Sequence, residues 1–139
     1  MSDATLGDRL PDPTAETAEI EFVRGSLDDV RRFVSHEATT AGIHAGKTVD
    51  LVLAVNEVAT NSVIHGGGAG RLRAWVTPDA FVCEVVDGGR INRPLVGRAR
   101  PRADGENGRG LWLANQLCDL VQVRSTGVGT IVRLYSWRD

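Results

Sequence analysis

Cysteine is scarce in this 139-residue chain: only Cys83 and Cys118 occur, neither in a CxxC pair nor beside a histidine at ligand spacing. A disulfide scaffold and a zinc site of ordinary spacing are therefore excluded, and both residues, set in apolar runs, read as buried reduced thiols. No run of about 18 apolar residues is present to cross a membrane. No short apolar core follows Met1 as a secretory signal would require, so the expectation is a cytoplasmic protein. Charge of one sign is lacking too: 16 Lys and Arg face 18 Asp and Glu, a formal net charge of −2. That gives no general attraction to nucleic acid or to an anionic membrane. There is no internal repeat and no low-complexity tract. What is there is an ordinary globular composition, 42% hydrophobic and 24% charged, long enough for one domain with one core.

Residues 1–18 are polar, contain Pro11 and Pro13, and show no periodicity; they read as a disordered tail. A short first strand is expected at 19–23. Ser26 then stands as an N-cap, with Asp28 and Asp29 placed to favour the positive end of a helix dipole. Leu27, Val30, Phe33, Val34 and Ala38 recur at helical spacing until Gly42 stops them. A second, longer helix is expected over 49–66. After the break at Gly66, Gly67, Gly68 and Gly70, two strands at 71–76 and 81–86 form a hairpin around Pro78 and Asp79, closed by Asp87, Gly88 and Gly89. Residues 90–107 hold five arginines, two prolines and almost no hydrophobic pattern, which predicts a lid. Gly108, Arg109 and Gly110 open a third helix with Leu111, Leu113, Ala114 and Leu117 on its buried side. Strands at 121–124 and 129–137 complete the chain. This order argues for an α/β (α+β) two-layer sandwich, helices on one face of a mainly antiparallel mixed sheet.

The long helix carries the chemistry. Glu57, Asn61 and His65 stand at successive i, i+4 positions and so form a ladder on one side. Leu53 and Ile64 fall on that side as well, which predicts that the carboxylate and the carboxamide sit among apolar neighbours, covered on more than one side. A buried carboxylate is costly unless paired or used. The Asn oxygen is a hard, neutral ligand suited to Mg²⁺ that draws its other ligands from water and phosphates. Glycines at a helix start let backbone N–H groups approach anionic oxygens, as at Gly108 and Gly110. An Asp at a strand end, Asp87, can accept a hydrogen bond from an exocyclic amine such as adenine N6, and the Thr130 hydroxyl can donate one more. Together these residues describe a nucleotide held between a helix, a strand end and a lid.

Glu57-x-x-x-Asn61, then Asp87-x-Gly89, then Gly108-x-Gly110-Leu111, then Gly129-Thr130, resembles in order the N, G1, G2 and G3 boxes of the Bergerat ATP-binding fold. Gyrase, heat-shock chaperone ATPases, histidine kinases and mismatch-repair ATPases share that fold. Within it, residues 56–66 are similar to the N-box of the anti-sigma-factor serine/threonine kinases, and the resemblance covers roughly residues 19–137. It implies that Asn61 binds Mg²⁺, that Asp87 reads adenine and that Gly89 gives it room. It further implies that Gly108, Arg109, Gly110 and Leu111 form the phosphate-side segment and that Thr130 supports the bound nucleotide. Glu57 becomes the general base on a protein Ser or Thr hydroxyl. The implied partners are ATP, a sigma factor and an anti-anti-sigma antagonist protein, with a homodimer as the assembly.

The chain departs from the pattern in two places. The G1 box usually reads D-x-G-x-G, and its last position here is Ile91. Glu106 and Asn107, not a basic residue, precede the G2 glycines, leaving Arg102 and Arg109 as the nearest cations. Two further readings stand beside the kinase. One is a non-catalytic nucleotide-binding module that acts by protein contact. The other is a histidine-kinase catalytic domain, disfavoured because no helical hairpin with a phosphoacceptor His is encoded in these residues and His36 lacks the flanking pattern. His65 either braces the helix end or reaches a phosphate, and both readings stay open.

Overall fold

The computed structural model describes residues 2–6, 10–13, 15–87, 106–126 and 129–138. Six strands, β1 (Ser2–Leu6), β2 (Ala18–Val23), β3 (Ala69–Val76), β4 (Ala80–Asp87), β5 (Leu120–Thr126) and β6 (Gly129–Trp137), make one sheet in the order β1-β5-β6-β4-β3-β2. Five of them, β2 to β6, pair antiparallel, and β1 adds parallel to β5 at one edge. Three helices, α1 (Leu27–Thr40), α2 (Ala45–His65) and α3 (Glu106–Leu117), pack on one face. The expected two-layer sandwich with a mixed, mainly antiparallel sheet is what the chain forms.

Period-two alternation puts Ile20 and Phe22, Leu72 and Ala74, Phe81, Cys83 and Val85, Val121 and Val123, and Val132 and Leu134 on the helix side. They meet Val30, Val34 and Ala38 of α1, Leu51, Ala54, Val55, Val58, Ala59 and Val63 of α2, and Leu111, Ala114 and Cys118 from the α3 region. Each buried Leu or Val there contributes about 1.5–3 kcal/mol of transfer free energy. α2 lies between α1 and α3 over the central strands, which is why one helix can present a row of side chains to the sheet's end.

Several boundaries shift for identifiable reasons. β1 occupies residues expected to be a tail: Ser2–Leu6 is too polar and short to announce a strand, and what makes it one is the open edge of β5. α1 is entered through a single 3₁₀ turn, Arg24–Ser26. Ser26 takes the N-cap position without capping α1; its hydroxyl accepts from the Val23 N–H (2.9 Å) and donates to the Val23 carbonyl (3.1 Å). α1 ends where Gly42 adopts φ +80°, as Gly at that place allows. α2 starts four residues earlier than the apolar pattern, capped by His44, whose Nδ1 accepts from the Gly46 N–H at 3.1 Å. α3 begins at Glu106, so Gly108 and Gly110 lie within its first two turns and not before them. Residues 90–105 of the expected lid lie outside the described residues; residues 106–107 belong to α3.

Candidate functional site

The helix-side face of the sheet is apolar row after row and then turns polar at one end. Val123, Val132, Val85 and Leu72 pair across one row. Two residues further along, the same strands present Ser125, Thr130 and Asp87, with Thr130 the register partner of both others, and then Gly70. Ser125 and Thr130 are buried, Asp87 is half-buried, and each of the three is engaged in polar interactions. Polar side chains closing an apolar layer are expected only where something polar is to be met, since desolvating them otherwise costs free energy.

The C-terminal end of α2 is fitted onto this row. A Cβ on Gly66 would lie 2.5 Å from Asp87 Cγ, 2.7 Å from Asp87 Oδ2 and 2.7 Å from the Ser62 carbonyl oxygen. Only glycine lets the aspartate and the last turn of α2 approach this closely. The contact brings Asp87 beside the helix segment that carries Asn61 and Glu57, one and two turns back from His65. Glu57 and Asn61 are half-buried on the flank of α2, and His65 is exposed. Next to Glu57, Asn56 accepts at Oδ1 from Arg31 Nη1 of α1 (2.9 Å), and Arg31 also pairs with Asp28. Thr60 Oγ1 donates to the Asn56 carbonyl at 2.7 Å and Ser62 Oγ to the Val58 carbonyl at 3.1 Å, so both hydroxyls turn back on the helix.

The expectation that apolar neighbours enclose this side of α2 is not met. Leu53 and Ile64 are 44% and 45% exposed, so among the described residues the ladder runs along a border between core and solvent. Glu57 is therefore not a buried charge in need of rescue. Its half-exposure is the condition under which a carboxylate can meet a second molecule.

Of the remaining residues, Gly89 lies outside the described residues. Gly108, Arg109 and Gly110 are in the first two turns of α3, while the Leu111 side chain is buried in the helix-side core and anchors that end of the helix to it. Gly66 and Ser125 were missed by sequence reasoning. Gly66 had a signal, the first glycine after a long helix, but its role depends on Asp87 standing opposite, which only the fold reveals. Ser125 had none beyond its place as the polar residue two beyond Val123.

The two thiols behave as expected of buried cysteines. Burial, together with Cys118 and Glu37 nearby, pushes the Cys83 thiol well above its ordinary range. Cys118 is raised to about 12, first by burial and then by Asp119 and Asp50. Among the described residues no cluster of three His, Cys, Asp or Glu is arranged to hold a metal, and no helix is long and apolar enough to cross a membrane.

A family model for the histidine kinase-like ATPase domain matches residues 23–136, most of the chain. A search of curated proteins finds no match. Fold and match agree, and the chain belongs to the histidine kinase-like ATPase domain family, an ATP-binding class.

Proposed function

We propose that this domain is an ATP-dependent protein serine/threonine kinase of the anti-sigma type, which sequesters a sigma factor as a homodimer and phosphorylates an antagonist protein. The observation that carries the reading is the polar row Ser125, Thr130 and Asp87, closed by a glycine-tight contact at Gly66 beneath the helix that bears Glu57 and Asn61. The donor set suits a magnesium nucleotide. Asp87 and Thr130 are an acceptor and a donor at the height of a base edge, the Gly66 approach leaves Asp87 no room to turn away, and Asn61 offers a neutral oxygen to the cation. The first turn of α3, from Glu106 to Gly108, offers backbone N–H groups without an intrahelical acceptor for phosphate oxygens, whereas Gly110 lies beyond that turn.

Bound MgATP would supply an electrophilic γ-phosphoryl group. Glu57, one turn before Asn61 and half-exposed, takes the proton from the Ser or Thr hydroxyl of the docked protein as its oxygen bonds to phosphorus and ADP leaves. Arg31, bonded to Asn56, ties α1 to α2 beside the base and limits how far that turn can move. Most of the rate enhancement comes from this positioning, because phosphoryl transfer asks little covalent chemistry of the protein.

The test is incubation with γ-labelled ATP, Mg²⁺ and candidate anti-anti-sigma proteins. Wild type should label an antagonist, while Glu57→Gln should bind nucleotide as before and transfer about 10²- to 10⁴-fold more slowly. Tight nucleotide binding with no transfer to any candidate would instead favour the non-catalytic binding module.

A further inference from the structure

The buried residues of α2 point at the sheet and at the helices on either side, α1 and α3. At about 100° per residue, Val49, Leu53, Asn56, Glu57, Thr60 and Ile64 all fall within one arc of about 100° on the opposite side. The outer face of a surface helix is ordinarily polar. Here Val49 is 67% exposed, Leu53 44% and Ile64 45%. They are three of the five large hydrophobic residues exposed among the described residues, so apolar exposure gathers on this arc, where single scattered residues would need no account.

The polar groups beside them are mostly spent within the protein. The Thr60 hydroxyl donates to the Asn56 carbonyl at 2.7 Å. Asn56 Oδ1 accepts from Arg31 Nη1 at 2.9 Å, and Arg31 pairs with Asp28, so the border of the arc toward α1 is a closed polar set. Glu57 differs. It is half-buried, and among the described residues it makes no hydrogen bond or ion pair. A carboxylate with both oxygens uncommitted thus stands between apolar side chains. At about 1.5 Å of rise per residue, Leu53 lies about 6 Å from it along the helix axis in one direction, and Ile64 about 10 Å in the other. A specific interface covers about 800 Å² of each partner, a footprint about 30 Å across. Any protein that brings a hydroxyl to Glu57 therefore lies over Leu53 and Ile64 as well.

We propose, resting on the kinase reading above, that this outer arc of α2 is the docking surface for the phosphoacceptor protein, and that the acceptor Ser or Thr is flanked by apolar side chains seated on Leu53 and Ile64. The arrangement is that of an interface with an apolar centre and a polar rim, the rim being Asn56, Arg31 and Asp28. The substrate class follows from the spacing. In an extended acceptor segment, at about 3.3 Å per residue, the apolar side chains stand about two residues from the hydroxyl on the Leu53 side and about three on the Ile64 side. Their contact keeps water from Glu57 and leaves the hydroxyl as the donor that its carboxylate meets. A second copy of this chain suits the arc less well, because a two-fold seam centred here would enclose two Glu57 carboxylates with no donor between them.

The experiment is steady-state phosphorylation with γ-labelled ATP, Mg²⁺ and the antagonist protein that wild type labels. It compares the full chain with the double variant Leu53→Gln/Ile64→Gln, which removes both apolar seats and adds no charge near Glu57. KM for the antagonist should rise at least about tenfold with kcat within about twofold of wild type. Magnesium ATP affinity by calorimetry and the helical circular dichroism should be unchanged, and Leu53→Met/Ile64→Met should keep the wild-type KM. An unchanged KM in the Gln variant would overturn the docking proposal and leave the kinase reading standing. So would a raised KM matched by an equal loss of nucleotide affinity. A wild-type dimer that the Gln variant dissociates in sedimentation, with KM unchanged, would give the arc to a second copy and overturn it too. If wild type labels no candidate, the kinase reading itself fails and the docking proposal goes with it. Should the double variant lose its helical signal, Leu53→Gln and Ile64→Gln taken singly decide by the same readings.

Discussion

Glu84 and Asp87 are two carboxylates three residues apart on one strand, and they are treated in opposite ways. Glu84 faces away from the helices, is almost wholly buried, and has both oxygens taken by arginines of the neighbouring strands. Asp87 faces the helices at the rim of the sheet, half-buried, pressed against a glycine and paired in register with Thr130. Burial with full neutralisation marks a group that holds strands together. Placement at a rim, where the layer turns polar and a helix end has been cut back to glycine, is the setting on which the proposed nucleotide site rests. The two differ in setting: one is enclosed between strands by two arginines, the other lies at the sheet's end against the last turn of α2.

The sharpest way to break this contrast is to remove Glu84. Glu84→Ala leaves the buried Arg133 and the half-buried Arg73 without their shared carboxylate, and urea unfolding should show a loss of about 3–5 kcal/mol. Nucleotide affinity of the folded fraction should stay within a factor of two or so of wild type, because the two carboxylates are on opposite faces. A Glu84 variant that keeps its stability and loses nucleotide would reverse the roles assigned to the pair.

Gly66→Val attacks the rim from the other side. Its Cβ would meet the Asp87 carboxylate and the Ser62 carbonyl, so overpacking should cost about 1–3 kcal/mol. Unlike the Glu84 change it should also abolish nucleotide binding in the protein that remains folded, as followed by a fluorescent ATP analogue.

The smallest effect concerns Cys83, the residue just before Glu84 on the same strand but directed into the core. Its thiol and that of Cys118 are held above the ordinary value of 9.0, Cys118 at about 12. In the unfolded chain they deprotonate near 9, so above that pH the folded state binds more protons than the unfolded one and stability falls as pH rises. The thiols' contribution is complete below pH 9 and declines from there toward 12, by at most about 1.4 kcal/mol per pH unit for each thiol. Replacing both with Ala should flatten that part of the stability profile, measured by urea unfolding, and iodoacetamide at pH 8 should label neither in the native protein.

Much of this was legible in the chain and some was not. Apolar spacing located α2, the β3–β4 hairpin and β6 because each has a face that must be buried, and the period betrays the face. The order of Asn61, Asp87, the α3 glycines and Thr130 pointed to the family, and the fold brings Asp87 and Thr130 into register at the end of the sheet beside α2. β1 was invisible because Ser-Asp-Ala-Thr-Leu has no face of its own and is a strand only by pairing with β5. The setting of Glu57 was misjudged because Leu53 and Ile64 look like core on a helical wheel and are exposed in the fold. Nothing local in the sequence tells an apolar residue that is covered from one that awaits a partner. The burial of Glu84 was equally hidden, because both arginines that neutralise it come from other strands.

Titration calorimetry with magnesium ATP on wild type and Asp87→Asn tests the central claim most directly. Wild type should give a saturable one-to-one heat, and Asp87→Asn, with unchanged thermal stability, should lose at least about tenfold in affinity, the 1.4 kcal/mol of a single charged hydrogen bond. Equal binding by the two proteins, or no heat from wild type, would contradict the assignment of the polar rim as the nucleotide site.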